Sequence, residues 1–284
     1  MVKYLACSEV DDISNIYEAF AVGFSDYIMK MDISEEMFKT RFFGVEGNQL
    51  ENSYIAMDGE RPVGLMLGGL KRYEGILTMR CGALAIHPDY RGIGVSAKLF
   101  ELHKARAVEC GCGQLFLEVI VGNDRAIQFY KKKGYSKVYD LSYFTLHHPA
   151  NMLGRNVEGY DIKPVPFESF ERHVHNWRIS HINWQNDLDY MRLSDNNTYV
   201  AAYKDDKVVG SLCMNDGGKV SFLYVDVEYR NKGIATDMLM TMIREKQPER
   251  ISVSFANNHH LEGFVAKHGF NRNELEQYEM YLHL

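Results

Sequence analysis

The chain has 284 residues, 46% hydrophobic and 25% charged, with a net charge of −6 and a pI near 6.0. That length accommodates two domains of about 140 residues, each able to bury a core without a disulfide or a structural metal. The mild acidity lacks the basic footprint of a nucleic-acid-binding protein. The opening MVKYLACSEVDD turns acidic too early for a signal peptide, and no run of about 18 apolar residues predicts a membrane span. Five cysteines, Cys7, Cys81, Cys110, Cys112 and Cys213, form neither a disulfide framework nor a paired metal knuckle, so they are expected to be reduced thiols in a cytoplasmic protein.

In chain order, two early helical segments flank Phe24-Ser25-Asp26-Tyr27. Residues 53–57 and 63–71 alternate or run apolar around the turn signal Asp58-Gly59, predicting a hairpin. A strand is predicted over 78–86. A helix follows with Val95, Leu99 and Leu102 on one face at i, i+4, i+7. The apolar run 115–121 predicts a strand and 124–133 a short helix. Residues 147–160 (HHPANMLGRNVEGY) carry Pro, Gly and Asn without an apolar period and are expected to link two domains. Beyond the link, 199–203 and 208–214 predict a second hairpin, 220–225 a strand, Ala235, Met238 and Met242 a helix face, and 251–255 a further strand. Between them lies a cluster of His173, His175, Trp177, His181 and Trp184. It lacks a recognised zinc spacing, and a packed helix or a pocket wall is the expectation there.

The halves read alike, which points to a duplicated domain. Residues 82–96 are GALAIHPDYRGIGVS and residues 221–235 are SFLYVDVEYRNKGIA, with Arg91 and Arg230 139 positions apart. NDRAIQFYKKKGY from Asn123 and NHHLEGFVAKHGF from Asn258 follow in the same order, 135 positions apart. Arg91-Gly92-Ile93-Gly94-Val95-Ser96 and Arg230-Asn231-Lys232-Gly233-Ile234-Ala235 each follow a strand and open a helix. The first N–H groups of a helix have no internal partner and the helix dipole is positive there, so such a loop suits a phosphate. An ordinary strand-to-helix turn is the plain alternative. A P-loop lysine and a G-x-G-x-x-G fingerprint are both absent, Ala97 standing after Gly92-x-Gly94.

These residues resemble the GNAT superfamily of N-acetyltransferases, whose loop reads [QR]-x-x-G-x-[GA]. Arg230–Ala235 satisfies the pattern whole, and Arg91–Ser96 departs from it only in Ser96. The family's N-x-x-A-x-x-x-Y followed by G-[FY] stands complete as Asn123, Ala126, Tyr130, Gly134 and Tyr135. The resemblance implies an α/β (α+β) fold of two tandem domains, 1–147 and 158–284, each a mixed, mostly antiparallel sheet flanked by helices. It implies an acyltransferase using acetyl-CoA and no metal. The acetyl group would pass to a primary amine, of a small molecule or a peptide N-terminus, by direct attack in a ternary complex. No nucleic acid or membrane partner is expected, and the protein would be a monomer or a homodimer.

Carried onto this chain, the backbone of Leu84, Ala85 and Ile86 would pair with the pantetheine arm, as an added strand does. Arg91 and the N–H groups of Gly92, Ile93, Gly94, Val95, Ser96 and Ala97 would hold the pyrophosphate. Asn123 would bond the pantetheine and Tyr130 would lie beside the thioester sulfur, where it is the candidate acid for the leaving thiolate; its alternative is a core residue of the short helix. In the second half Leu223, Tyr224, Val225, Asn231, Lys232, Gly233, Ile234, Ala235 and Thr236 occupy the equivalent places. Asn258 matches Asn123, but Val265 stands at the tyrosine position. Glu118, the only charge in LFLEVIV, is the candidate base, with a structural hydrogen bond as its alternative. Asp26 and Tyr27 are candidate acceptor contacts; Asp26 reads equally as a cap or turn. Catalysis is expected in the first half, with the second structural or coenzyme-binding. The rivals are a non-catalytic acyl-CoA sensor and catalysis in the second half.

Overall fold

The computed structural model describes residues 1–152, 154, 157–177 and 181–284. The first half supplies strands β1 (Val2–Ala6), β2 (Gln49–Asp58), β3 (Arg61–Tyr73), β4 (Ile76–Ile86), β5 (Gln114–Ile120) and β6 (Ser136–Leu146). Its helices are α1 (Ile13–Gly23), α2 (Glu35–Thr40), α3 (Val95–Glu109) and α4 (Asp124–Lys132). The second half supplies β7 (Asp161–Pro164), β8 (Asn197–Lys204), β9 (Lys207–Asn215), β10 (Lys219–Val225), β11 (Ile251–Ala256) and β12 (Asn271–His283). With them come α5 (Phe167–Asn176), α6 (Leu188–Arg192), α7 (Ile234–Lys246) and α8 (His259–Lys267).

Local chemistry sets many of these boundaries. Side-chain oxygens of Asp12, Ser34, Asn123, Asp187 and Asn258 accept backbone N–H bonds at the starts of α1, α2, α4, α6 and α8, satisfying donors that a helix leaves unpaired. The β2–β3 turn uses Gly59 at φ 61° and the β8–β9 turn uses Asp205 at φ 53°, the left-handed geometry that tight hairpins favour. Both hairpins run further than the sequence pattern predicts, because pairing to a neighbour extends a strand past the point where alternation ends. The predicted link 147–160 contains a 3₁₀ turn at Pro149–Asn151; its Leu153, Arg155 and Asn156 lie outside the described residues.

The chain forms two compact units, Met1–Tyr139 with Gln277–Leu284, and Asp140–Glu276. In the first, the strand order is β1-β2-β3-β4-β5 followed by the end of β12. In the second it is β7-β8-β9-β10-β11 followed by the end of β6. Within each, every pairing is antiparallel except β4–β5 and β10–β11. This corrects the continuous segments 1–147 and 158–284. The end of β6 pairs with β11 in the second unit, from Ile251↔Leu146 to Ala256↔Leu141, and the end of β12 pairs with β5 in the first, from Gln277↔Ile120 to His283↔Gln114. Each half thus gives its last strand to the other half's sheet.

Both units are three-layered. In the first, Leu99, Phe100, Ile127, Tyr130 and Met280 fill one face of the sheet, and Phe20, Phe38, Phe42 and Leu65 the other. In the second, Met238, Met242 and Val265 fill one face, and Phe170, Met191 and Tyr199 the other. Helix α1 meets β4 at Gly23, where an added Cβ would stand 2.6 Å from Ala85 Cβ and 2.9 Å from Ile86 N. Gly23→Ala is therefore expected to overpack this seam and cost about 1–3 kcal/mol, read as a lower urea midpoint at unchanged m.

Candidate active site

In the first unit the parallel pairing of β4 and β5 covers only Thr78↔Gln114, Met79↔Leu115 and Arg80↔Phe116. Both strands continue beyond it, to Ile86 and Ile120, so they diverge and the backbone of Leu84, Ala85 and Ile86 has no β5 partner. A bulge at Gly82, between the pairs Gly68↔Cys81 and Leu67↔Ala83, turns β4 at the divergence. An added Cβ there would meet Asn48 Oδ1 at 2.0 Å, so only glycine fits. The second unit repeats the device. Its β10–β11 pairing stops after Lys219↔Ser252 and Val220↔Val253, and its bulge falls at Ser221, 139 positions after Gly82.

The two predicted phosphate loops have one backbone shape. Gly92 and Gly94 have φ of 77° and 97°, and Asn231 and Gly233 have 62° and 97°. Gly94 and Gly233 start α3 and α7 with no side-chain cap, which leaves the helix N–H groups for an anion. The space a Cβ would occupy at Gly92 and Gly94 has no atom within 4 Å, so the loop of Gly92, Ile93, Gly94, Val95, Ser96 and Ala97 fits a pyrophosphate approaching its backbone. The two arginines brace the strands that lead into the loops. Arg91 Nε donates to Ile86 O at 3.1 Å and Arg230 Nε to Val225 O at 2.9 Å, each closing the end of the preceding strand.

The Arg91 guanidinium also holds Asp26 through both carboxylate oxygens, at 2.5 and 2.7 Å, and donates to Gly23 O at 3.2 Å. Asp26 is held down to about 2 by that hydrogen bonding. Asp26 thereby ties the end of α1 to the loop through both its oxygens. Tyr27 is half-buried and its hydroxyl lies near the Asn123 side chain, whose Oδ1 caps α4 at Ala126 N. Asp26 therefore holds Arg91, and Tyr27 lies beside Asn123, each an expected coenzyme contact.

Tyr130 is buried, with its hydroxyl 3.7 Å from Cys81 Sγ, one residue past the last β4–β5 pair. Burial foremost raises its pKa well above that of an ordinary phenol, so it keeps its proton. Burial likewise pushes Cys81 up to about 11, so it stays a thiol.

Glu118 lies at the same divergence but is not alone. Arg80 donates to Glu118 Oε2 and to Glu46 Oε2, both at 2.7 Å. Fully buried Glu279 of β12 faces Glu118 in register. Burial pushes Glu118 up to about 7 against the pull of Arg80, with Glu279 and Glu46 adding to the rise. Glu46, equally buried, is held low because Arg80 and Arg41 outweigh its desolvation. With one guanidinium shared between Glu46 and Glu118, the pKa of Glu118 is raised and that of Glu46 is lowered. Sequence reasoning missed Arg80, Glu46 and Glu279. Arg80 carries the same signal that singled out Glu118, being the only charge in the strand ILTMRCGALAI.

Removing Arg80 strands two buried carboxylates. Arg80→Met is expected to cost about 3–5 kcal/mol. The sign with pH follows from the shift. Glu118 has a folded pKa of about 7, above its unfolded value of about 4.3. Its protonation stabilises the fold at low pH, and that contribution is lost as pH rises through about 7. The Arg80→Met deficit should therefore be larger at pH 8 than at pH 5, as urea midpoints at the two pH values would read.

In the second unit Val265 is buried at the tyrosine position, and Lys219, at the position equivalent to Arg80, donates to Gln185 O at 3.0 Å. Ser254 takes the place of Glu118 by strand pairing. Leu223, Tyr224 and Val225 end β10 beside the loop of Asn231, Lys232, Gly233, Ile234, Ala235 and Thr236, and Thr236 Oγ1 lies 3.0 Å from His268 Nε2. His173 hydrogen-bonds Ser211 at 3.2 Å, Trp177 packs on Tyr224 at 4.6 Å and Trp184 is buried. No cluster of three or more His, Cys, Asp or Glu placed to hold a metal occurs among the described residues. No helix among them is long and apolar enough to cross a membrane.

Known proteins resemble this chain in sequence and fold. A family model described as the acetyltransferase (GNAT) family matches residues 13–135, and one described as an acetyltransferase (GNAT) domain matches 170–284. N-alpha-acetyltransferase 30 of Schizosaccharomyces pombe is 27% identical over 122 residues, which are 42% of this chain and 81% of that protein. Acetyltransferase SG1711 of Sodalis glossinidius is 33% identical over 73 residues, 26% of this chain and 49% of that protein. Among solved structures, a tandem GNAT protein from the clavulanic acid biosynthesis pathway aligns with TM-score 0.72 at 15% identity, covering 100% of this chain and 98% of that one. A GCN5-related N-acetyltransferase from Sphaerobacter thermophilus aligns with TM-score 0.68 at 13% identity, covering 100% and 95%. With both halves matched and both built on a diverging strand pair and an uncapped helix start, the chain belongs to the GNAT acetyltransferase family and is an N-acetyltransferase with two GNAT domains in tandem.

Proposed function

We propose that the protein transfers an acetyl group from acetyl-CoA to a primary amine, of a small molecule or a peptide N-terminus, by direct attack, and that the first unit does the chemistry. The observation that carries this reading is that one strand divergence has Tyr130 against Cys81 and Glu118 against Arg80, two adjacent residues of β4, whereas the second unit has Val265 and Ser254 at the equivalent places. Bound acetyl-CoA supplies the acyl group and a thiolate leaving group. The N–H groups of Gly92 to Ala97 hold its pyrophosphate, and the unpaired backbone of Leu84 to Ile86 aligns its arm. Asn123 bonds that arm. Glu118 takes a proton from the acceptor ammonium, freeing the neutral amine that attacks the thioester carbonyl, and the Tyr130 hydroxyl gives its proton to the departing thiolate. Ala85 or Ile86 N–H stabilises the developing oxyanion. A relative named N-alpha-acetyltransferase favours the peptide N-terminus among the acceptors.

A thiol-release assay with acetyl-CoA against polyamines, amino acids and peptides tests this. Turnover is expected with at least one primary amine, falling by about 10²-fold in Glu118→Gln and persisting in Asn258→Ala. The opposite pattern moves the chemistry to the second unit. Coenzyme binding by calorimetry without turnover on any amine supports a sensor instead.

A further inference from the structure

In the first unit the short segment Glu46-Gly47-Asn48 lies directly on the sheet beside the strand divergence. It follows the wide turn Arg41–Val45, and its two outer side chains reach β4 at residues two apart. Glu46 Oε2 accepts from Arg80 at 2.7 Å, and the Asn48 carboxamide stands over Gly82. Glycines permit the close approach. An added Cβ would meet Gly47 O at 2.8 Å at Gly69, and Asn48 Oδ1 at 2.0 Å at Gly82. Asn48 is 3% exposed. Its Nδ2 donates to Phe42 O at 2.8 Å and its backbone N–H to the same oxygen at 3.1 Å, which turns Oδ1 toward Gly82. Oδ1 is buried, and no N–H or O–H among the described residues donates to it. What it meets is a Cα hydrogen of Gly82, which points where a side chain would stand.

That contact falls on the bulged residue of β4. A bulge bends its strand and re-aims the residues after it. Here those residues are Leu84, Ala85 and Ile86, whose backbone has left β5. A planar amide fixed at one end by Phe42 limits how far the bulge can rise from the sheet. In the second unit Ser221 stands at the bulge, so a Cβ occupies the place that Gly82 leaves open to Asn48. We propose that Asn48 is a positioning residue for acetyl transfer: by pressing on Gly82 it fixes the bulge, and through the bulge the backbone N–H groups that meet the developing oxyanion. This rests on the reading that the first unit does the chemistry. The pyrophosphate would be held by a different segment, Gly92 to Ala97, so loss of Asn48 should slow transfer and spare coenzyme affinity.

Kinetics and acetyl-CoA calorimetry on the full chain test it, with the amine that turns over fastest in the thiol-release assay. Asn48→Ala should lower kcat by about tenfold, because a displaced oxyanion donor loses part of its effect. The Kd for acetyl-CoA should stay within about threefold. Gly82→Ala sets a methyl group against Oδ1 and should lower kcat by about 10²-fold. In the double variant the methyl group has room, so its kcat should be no lower than that of Asn48→Ala alone. Asn48→Ser, too short to span from Phe42 to Gly82, should behave as Asn48→Ala, and thermal midpoints establish that each variant is folded. Losses that multiply in the double variant overturn the proposal. So does a wild-type kcat in folded Asn48→Ala and Asn48→Ser, or a loss of acetyl-CoA affinity as large as the loss in kcat. Unchanged turnover in folded Gly82→Ala, or a wild-type chain without turnover, overturns the assignment of the chemistry to the first unit and this inference with it.

Discussion

Deleting the last eight residues, Gln277 to Leu284, is expected to unfold the first unit although the cut lies at the far end of the chain. The segment pairs with β5 from Gln277↔Ile120 to His283↔Gln114. It also places Met280 and Tyr281, 0% and 8% exposed, in the first unit's core. Burying two such side chains contributes about 1.5–3 kcal/mol each, and each lost strand hydrogen bond removes about 0.5–1.5 kcal/mol. The sum reaches the total stability of a domain, about 5–15 kcal/mol. Tyr281 packs on Phe116 at 5.0 Å, and Leu282 supports the turn at Gly134, so α4 and Tyr130 lose their support as well. Hydrogen exchange should show β4 and β5 unprotected in the truncated chain while β8 and β9 stay protected. Full protection of β5 after truncation would refute the exchanged strand. A fragment ending near residue 147 is expected to fail for the same reason.

Tyr130→Phe should lower kcat/KM by about 10²–10⁴-fold, the usual contribution of a positioned proton donor. It should change stability by less than about 1 kcal/mol, because the hydroxyl's contact with Cys81 Sγ is long, at 3.7 Å, and the ring keeps its packing on Phe129 and Tyr135. The phenol is held well above its ordinary pKa, so it stays protonated across any assay range and adds no limb to the pH profile. Glu118, at about 7, supplies the acidic limb: activity rises as pH climbs through that value and the carboxylate becomes able to take a proton. Kinetics at several pH values should therefore show Tyr130→Phe lowered with an unshifted limb, and Glu118→Gln lowered with the limb removed. A Tyr130→Phe enzyme of unchanged kcat/KM would make Tyr130 a packing residue.

The family, the duplication and the two loops were legible in sequence because each depends on neighbours along the chain. A left-handed residue at Gly94 or Gly233, a cap at Asn123 or Asn258, and a bulge repeated at 139 positions are local events that local residues specify. The pairing of Arg80 with Glu118 across 38 positions was half-visible, as two lone charges in apolar strands. Their meeting needed the register of β4 on β5. Asp26 shows the same limit: nothing near it marks a partner 65 positions away.

What the sequence by itself determined is therefore the kind of domain, its number and the place of its two uncapped strand-to-helix loops. What only the tertiary structure decided is which strand completes each sheet, and which charges face one another at the first divergence. The physical reason is that an alternating strand offers the same hydrogen-bond ladder to any partner, so β6 and β12 read alike beside β5 or β11 until side-chain packing selects between them.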